Sequence, residues 1–234
     1  MLDLGSTEFI LAVPSVPGQE LKRLSSSLFD SWETYVGSAL SLRDYSLFLQ
    51  VEEGSVRGLA RIGAAIGMLY MGIGNYGDFI SGVTTIGQQV NATNEFLTER
   101  AGKVFSCPES QATTKKRGGT IAAIQRLFVK VRSGELTPEE ASARAEVLLG
   151  QESADEPGLL RELTNAFRDC PRYHEQQPLP FAEGQEDSEI FSNQLPQKPR
   201  APRSSPDLGP PLQLRVEVWR ESKKKRKHTR LLEL

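Results

Sequence analysis

Two histidines and two cysteines are all this 234-residue chain holds of those types, and their positions limit its chemistry. A nucleophilic enzyme needs a serine, cysteine or threonine held against a positioned base. His174 lies beside a proline-rich stretch and His228 lies inside a basic run. Segments of that composition do not hold a base within the roughly 0.5 Å that catalysis demands. Cys170 and His174, four residues apart, are half a zinc site at most, and neither cysteine has another cysteine within four residues. Glu52-Glu53 and Glu139-Glu140 are adjacent pairs, so on a strand or helix they point apart rather than share a proton. No G-x-S-x-G, H-E-x-x-H or Walker lysine occurs. The expectation is a non-enzymatic protein with no cofactor and no metal ligands.

Asp44, Glu52 and Glu53 near Gly54 loosely resemble a metal-nuclease strand. Gly54 and Ser55 stand where such a strand carries its lysine, so the pattern fails. Anion binding is the better-founded chemistry. Lys223, Lys224, Lys225, Arg226 and Lys227, with Arg230 close behind, attract phosphate by counterion release, on nucleic acid or on lipid. The run also fits a nuclear localisation signal. Trp219 and Arg220 just upstream offer one stacking platform, too few aromatics for a groove. A weaker candidate is Lys115, Lys116 and Arg117, followed by Gly118-Gly119-Thr120. These would place cations at a helix N-terminus, where free N–H groups favour negative charge.

Charge is unevenly placed. The formal net charge is −2, from 28 Lys+Arg and 30 Asp+Glu. Residues 212–234 hold eight Lys/Arg and three Glu, or +5, which leaves −7 on the rest. An acidic body with a basic tail is implied. Two cysteines exclude a disulfide scaffold and suit a reducing compartment. At the N-terminus Asp3 and Glu8 precede an apolar run of only Phe9 to Val13, unlike a signal peptide. A cytoplasmic location is expected, with or without membrane association.

These residues need elements to position them. Phe9–Val13, closed by Pro14, reads as a strand or extended arm. Leu21, Leu24, Leu28 and Trp32 mark one face of a helix over 19–35. Tyr45, Leu47, Leu49 and Val51 alternate with Ser46, Phe48, Gln50 and Glu52, a strand with one apolar residue on its outer side. Ser106–Thr114 reads as a polar loop. Ile121, Ile124, Leu127, Phe128 and Val131 give the next helix its apolar face. Thr137-Pro138-Glu139-Glu140 is a capping box that opens another. The two make an αα-hairpin, and a third helix follows over 157–169. Residues 176–211 carry eight prolines and read as a disordered or polyproline-like linker. Leu212, Leu214, Val216 and Val218 alternate with polar residues as a last strand.

Residues 62–90 contain one charge, Asp78, and seven glycines in 29 positions. Gly63 and Gly67 form a small-xxx-small pair on the same run as Met68 and Tyr70. The uninterrupted stretch Ile62–Gly74 gives 13 residues, where a spanning helix needs about 20. The leading reading is a buried Gly/Ala helix on a sheet, a turn at Gly74–Asp78 and a second helix over 79–98. The alternative is a segment that contacts membrane.

The expected architecture is α+β: a domain over 1–103, a helical unit over 118–172, the linker, and a strand with a basic tail over 212–234. The leading functional expectation is an adaptor that binds a protein partner. It would use the helical hairpin and add its unpaired C-terminal strand to the partner's sheet edge. Two alternatives follow from the other segments. One is a membrane-associated effector that inserts 62–90 and holds anionic lipid with Lys223–Lys227. The other is a nucleic-acid-binding accessory protein that uses the same cations.

Overall fold

The computed structural model of the chain describes residues 1–76, 78–108, 112–171 and 214–234. The expected linker over 176–211 lies outside the described residues. Strand β1 (Leu2–Leu11) is longer than the apolar run that announces it, because its first half alternates irregularly. Between Asp3 and Gly5 the register shifts, and the Asp3 carboxylate accepts the Gly5 N–H at 2.9 Å. This bulge turns Leu2, Leu4 and then Thr7, Phe9 and Leu11 inward, all buried. Helix α1 (Gly18–Ala39) buries Leu21, Leu28, Trp32 and Val36 as its spacing requires.

Strand β2 (Ser46–Glu52) alternates without exception between buried and half-buried residues. Gly54 then turns the chain at φ 106° into β3 (Val56–Ala64). The expected helix over 62–74 is therefore split. Gly63 sits on β3, and α2 (Ile66–Gly74) is a short helix that carries Gly67, Met68 and Tyr70. The small-xxx-small pair does not share a helix. Arg57 and Arg61 take exposed positions in the alternation of β3, and pairing with β1 and β2 carries the strand into the apolar run.

Helix α3 (Phe79–Val104) opens on Asp78, whose carboxylate accepts the Ser81 N–H at 2.8 Å. Its glycines allow close packing: a Cβ on Gly82 would lie 2.4 Å from the Ile73 carbonyl oxygen of α2. Residues 62–90 are thus strand, helix and helix around a core of Ile62, Leu69, Ile73, Val83 and Ile86. Among the described residues no helix is long and apolar enough to cross a membrane.

Strand β4 (Ala112–Arg117) takes the last three residues of the expected polar loop. Lys115, Lys116 and Arg117 are strand residues on a sheet edge, not a loop opening a helix. Gly118 and Gly119 turn the chain into α4 (Gly119–Arg132), and Gly134 at φ 76° ends it. Helix α5 (Pro138–Leu149) carries the capping box. The Thr137 hydroxyl accepts the Glu140 N–H at 3.2 Å, and Glu140 accepts the Thr137 N–H at 2.9 Å. Replacing Thr137 with alanine should cost about 1 kcal/mol in urea denaturation. The Thr137 N–H and hydroxyl hold the Glu140 carboxyl below the usual range. Its contribution is therefore complete above the ordinary carboxylate value and is lost as pH falls through the lowered one. The stability gap between the wild type and Thr137→Ala should accordingly narrow on acidification.

Helix α6 (Pro157–Arg168) buries Leu159, Leu163 and Phe167, and Phe167 meets Phe128 of α4 at 4.5 Å. Strands β5 (Leu214–Arg220) and β6 (His228–Glu233) complete the fold.

The six strands form one antiparallel sheet in the order β4-β1-β3-β2-β5-β6. Helices α1 and α3 cover one face, where Leu47, Leu49, Val51, Val216 and Val218 are buried. The fold is α+β. The segments 1–103, 118–172 and 212–234, read from sequence as separate, pack into one unit through their described residues. The helical hairpin lies on α3 and β1, and the C-terminal strands extend the sheet.

Candidate nucleic-acid interface

Strand periodicity decides what the uncovered face presents. Residues that alternate with the buried set point away from α1 and α3, and the register aligns them in rows across the sheet. One row runs Arg117, Ser6, Arg61, Phe48, Trp219, His228, one residue from each of the six described strands, of which Ser6 alone is buried. Five inter-strand spacings of about 4.8 Å make this track about 24 Å long. The next row runs Lys115, Glu8, Leu59, Gln50, Glu217, Arg230. The third brings Thr113, Ile10, Arg57, Glu52, Arg215 and Leu232 into line.

The first row is the chemically distinct one. The Trp219 and His228 rings stack at 5.3 Å with 20° between their planes. Phe48 is half-buried beside them, and Arg61 is exposed at its other flank. A hollow of about 330 Å³ lies over Phe48, Arg61, Gly63 and Trp219. Arg57 and Arg61 make no salt bridge among the described residues, whereas Arg215 pairs with Glu52 at 2.7 Å and Arg117 with Glu8 at 2.9 Å.

The basic run is not a tail. It is the turn of the β5–β6 hairpin, at the end of the sheet where Trp219 and His228 stack. Asp44 clamps it, accepting the Ser222 hydroxyl at 2.8 Å and the Lys223 N–H at 2.7 Å. Burial alone would raise the Asp44 carboxyl, but the bonds from Ser222, Lys223 and Tyr45 outweigh it and hold it below the usual range. The clamp is therefore complete above the ordinary aspartate value and is lost as pH falls through the lowered one. Replacing Asp44 with asparagine should speed hydrogen exchange at the Lys223 amide about tenfold, as loss of a charged acceptor implies.

Of the expected cations, Lys225 pairs with Glu221 at 2.5 Å and Lys227 with Asp30 at 2.6 Å. Lys223 lies 5.7 Å from the centre of the Tyr45 ring. Lys224, Arg226 and Arg230 are exposed and make no salt bridge among the described residues. Beneath the hairpin Arg220 meets Glu33 at 2.7 Å, and burial pushes the Glu33 carboxyl up against the pull of Arg220.

The other expected residues fall elsewhere. Gly67, Met68 and Tyr70 lie on α2, where the Tyr70 hydroxyl donates to Glu162 at 2.8 Å. Lys116 reaches Glu95 of α3 at 3.0 Å, while Lys115 lies on the open face. The fold brings Arg117 and Lys115 to the same face as the hairpin, at opposite edges of the sheet. The strand expected to add to a partner's edge is closed to that use, since β5 pairs with β2 on one side and β6 on the other. Asp44 and Glu52, the acids of the metal-nuclease pattern, are engaged by Ser222 and Arg215. Among the described residues no group of three or more His, Cys, Asp or Glu stands where it could share a metal ion.

Sequence reasoning overlooked Arg57, Arg61 and the role of Phe48. Phe48 had left a signal, as the one apolar residue on the outer side of β2. No family model, curated protein or solved structure matches this chain.

Proposed function

We propose that this protein is a non-catalytic binder of single-stranded nucleic acid, which lies across the open face of the sheet. The observation that carries the reading is the row Arg61, Phe48, Trp219, His228, with an exposed basic hairpin at its end. Bases stack on the aromatic rings, a contact worth about 1–3 kcal/mol per base and tolerant of sequence. Arg61 and Arg57 reach phosphates along the track, and Lys224 and Arg226 hold the strand as it leaves the hairpin end. Selection for single strands follows from the geometry, since a duplex keeps its base faces stacked inside.

The test is fluorescence anisotropy with labelled 12-nucleotide single strands of DNA and RNA, and with the matching duplexes. Single strands should bind more tightly than duplexes. The logarithm of the affinity should fall with the logarithm of salt by about 0.7 per phosphate neutralised. Lys224 and Arg226 take no part in the hairpin's salt bridges, so Lys224→Gln with Arg226→Gln should lower that slope by about 1.4 and leave the fold intact. A flat salt response, or preference for duplex, overturns the proposal.

A further inference from the structure

The helical side of the sheet carries a second surface, independent of the open face. A cleft of about 530 Å³ separates the last turns of α3 from β4. Thr98, Gly102, Cys107, Pro108, Ala112 and Thr114 line it. Its size is that of a ligand pocket.

Two residues on its wall are poor choices for stability alone. Helix α3 ends in a Schellman motif: the Cys107 N–H bonds to the Gly102 carbonyl at 2.8 Å, and the Ser106 N–H to that of Lys103 at 3.3 Å. The left-handed position of this motif normally holds glycine, yet here Ser106 takes it at φ 54°. The residue that normally packs under the chain as it leaves the helix is position 102, and it is a glycine. Nothing in the fold demands that glycine. A Cβ there would meet only the Cys107 carbonyl oxygen, at an ordinary 3.6 Å. A glycine inside a helix is less stable there than an alanine. Gly102 lines the cleft and puts no side chain into it.

The other wall is an edge strand. β4 is the last strand of the sheet, so one edge of its backbone has no partner among the described residues. Its side chains state what would fit. On the cleft side Lys116 is already matched by Glu95, and Lys103 by Glu99, so that rim is neutral. On the open side Lys115 makes no salt bridge among the described residues.

We infer that β4 is a docking strand for an extended peptide, which adds to the sheet as a seventh strand. The peptide residue opposite Lys115 is acidic. The residues on either side of it are apolar, because they face the cleft, and one of them fills the space left by Gly102.

Random octapeptides displayed on phage, selected on the immobilised full chain, test this. The expected result is enrichment of an apolar–acidic–apolar pattern. Synthetic copies should then lose at least tenfold in affinity for Gly102→Leu, for Lys115→Glu, and when their alternate backbone amides are N-methylated. Gly102→Leu should melt no lower than the wild type; should it unfold, Lys115→Glu and the methylated peptides carry the test. Oligonucleotide binding should be unchanged in Gly102→Leu, so each proposal can fail without the other. Selection that enriches nothing overturns the inference, as does a pattern without the acid. Full binding by both kinds of methylated peptide, one for each set of alternate amides, overturns it too, since only one set faces β4 and the cleft would then be taking a lone apolar group.

Discussion

Replacing Trp219 with alanine should lower the affinity for a single-stranded oligonucleotide by about 5- to 150-fold, the range set by losing one stacked base. Trp219 stands at the centre of the aromatic row, between Phe48 and His228 in the sheet register. Trp219→Phe keeps a ring at that place and should retain most of the affinity. The signal can be read without a label. The chain has two tryptophans, and Trp32 is fully buried under the sheet. Emission quenched by added oligonucleotide therefore reports Trp219, and the quench should vanish in Trp219→Ala. The variant should keep its fold, because the side chain lies on the uncovered face. Unchanged affinity in Trp219→Ala would remove the stacking row from the account and leave the basic hairpin alone.

The second large effect concerns the junction that sets α4 beside the sheet. Gly119→Ala should destabilise the protein by about 4 kcal/mol or more, an exceptional value for one methyl group. Gly119 has φ 52°, in the left-handed region, where an L-residue pays roughly 1–2 kcal/mol. The added Cβ would also lie 2.3 Å from the Asp3 carbonyl oxygen, 2.6 Å from the Leu4 carbonyl carbon and 2.8 Å from the Gly5 nitrogen. All three are backbone atoms of the bulge in β1, so no side chain can swing aside. Gly134 is the internal control. It has φ 76° and nothing within 4 Å of its Cβ position, so Gly134→Ala should cost only the conformational term. Urea denaturation of the two variants separates steric contact from backbone strain. Equal losses would mean that the bulge yields freely.

The core of this fold was largely legible from the residues, and its edges were not. Apolar spacing marked α1, α4 and α6, and the Thr137–Glu140 capping box marked the start of α5 to the residue. Strand β2 was plain because every second side chain is apolar. The error over 62–74 has a physical reason. An apolar, glycine-rich run looks alike to a helix rule and to a strand rule, and only pairing with β1 and β2 fixes Ile62 to Ala64 as strand. Strand β4 escaped because an edge strand buries almost nothing, so its side chains carry no alternation. The binding face was half legible. The cations of 223–227 and the ring of Trp219 were in view, but their neighbours Phe48, Arg61 and His228 come from three other strands. Distances of more than 150 residues along the chain close only through the sheet register.

The most direct test of the open-face proposal is an amide chemical-shift titration of the isotope-labelled protein with a single-stranded 12-mer. Shifts are expected at Arg57, Arg61, Phe48, Trp219, His228 and the 223–227 turn, with the buried side of α1 and the α5–α6 pair undisturbed. Shifts confined to the helices, or none at all at oligonucleotide excess, would contradict the proposal.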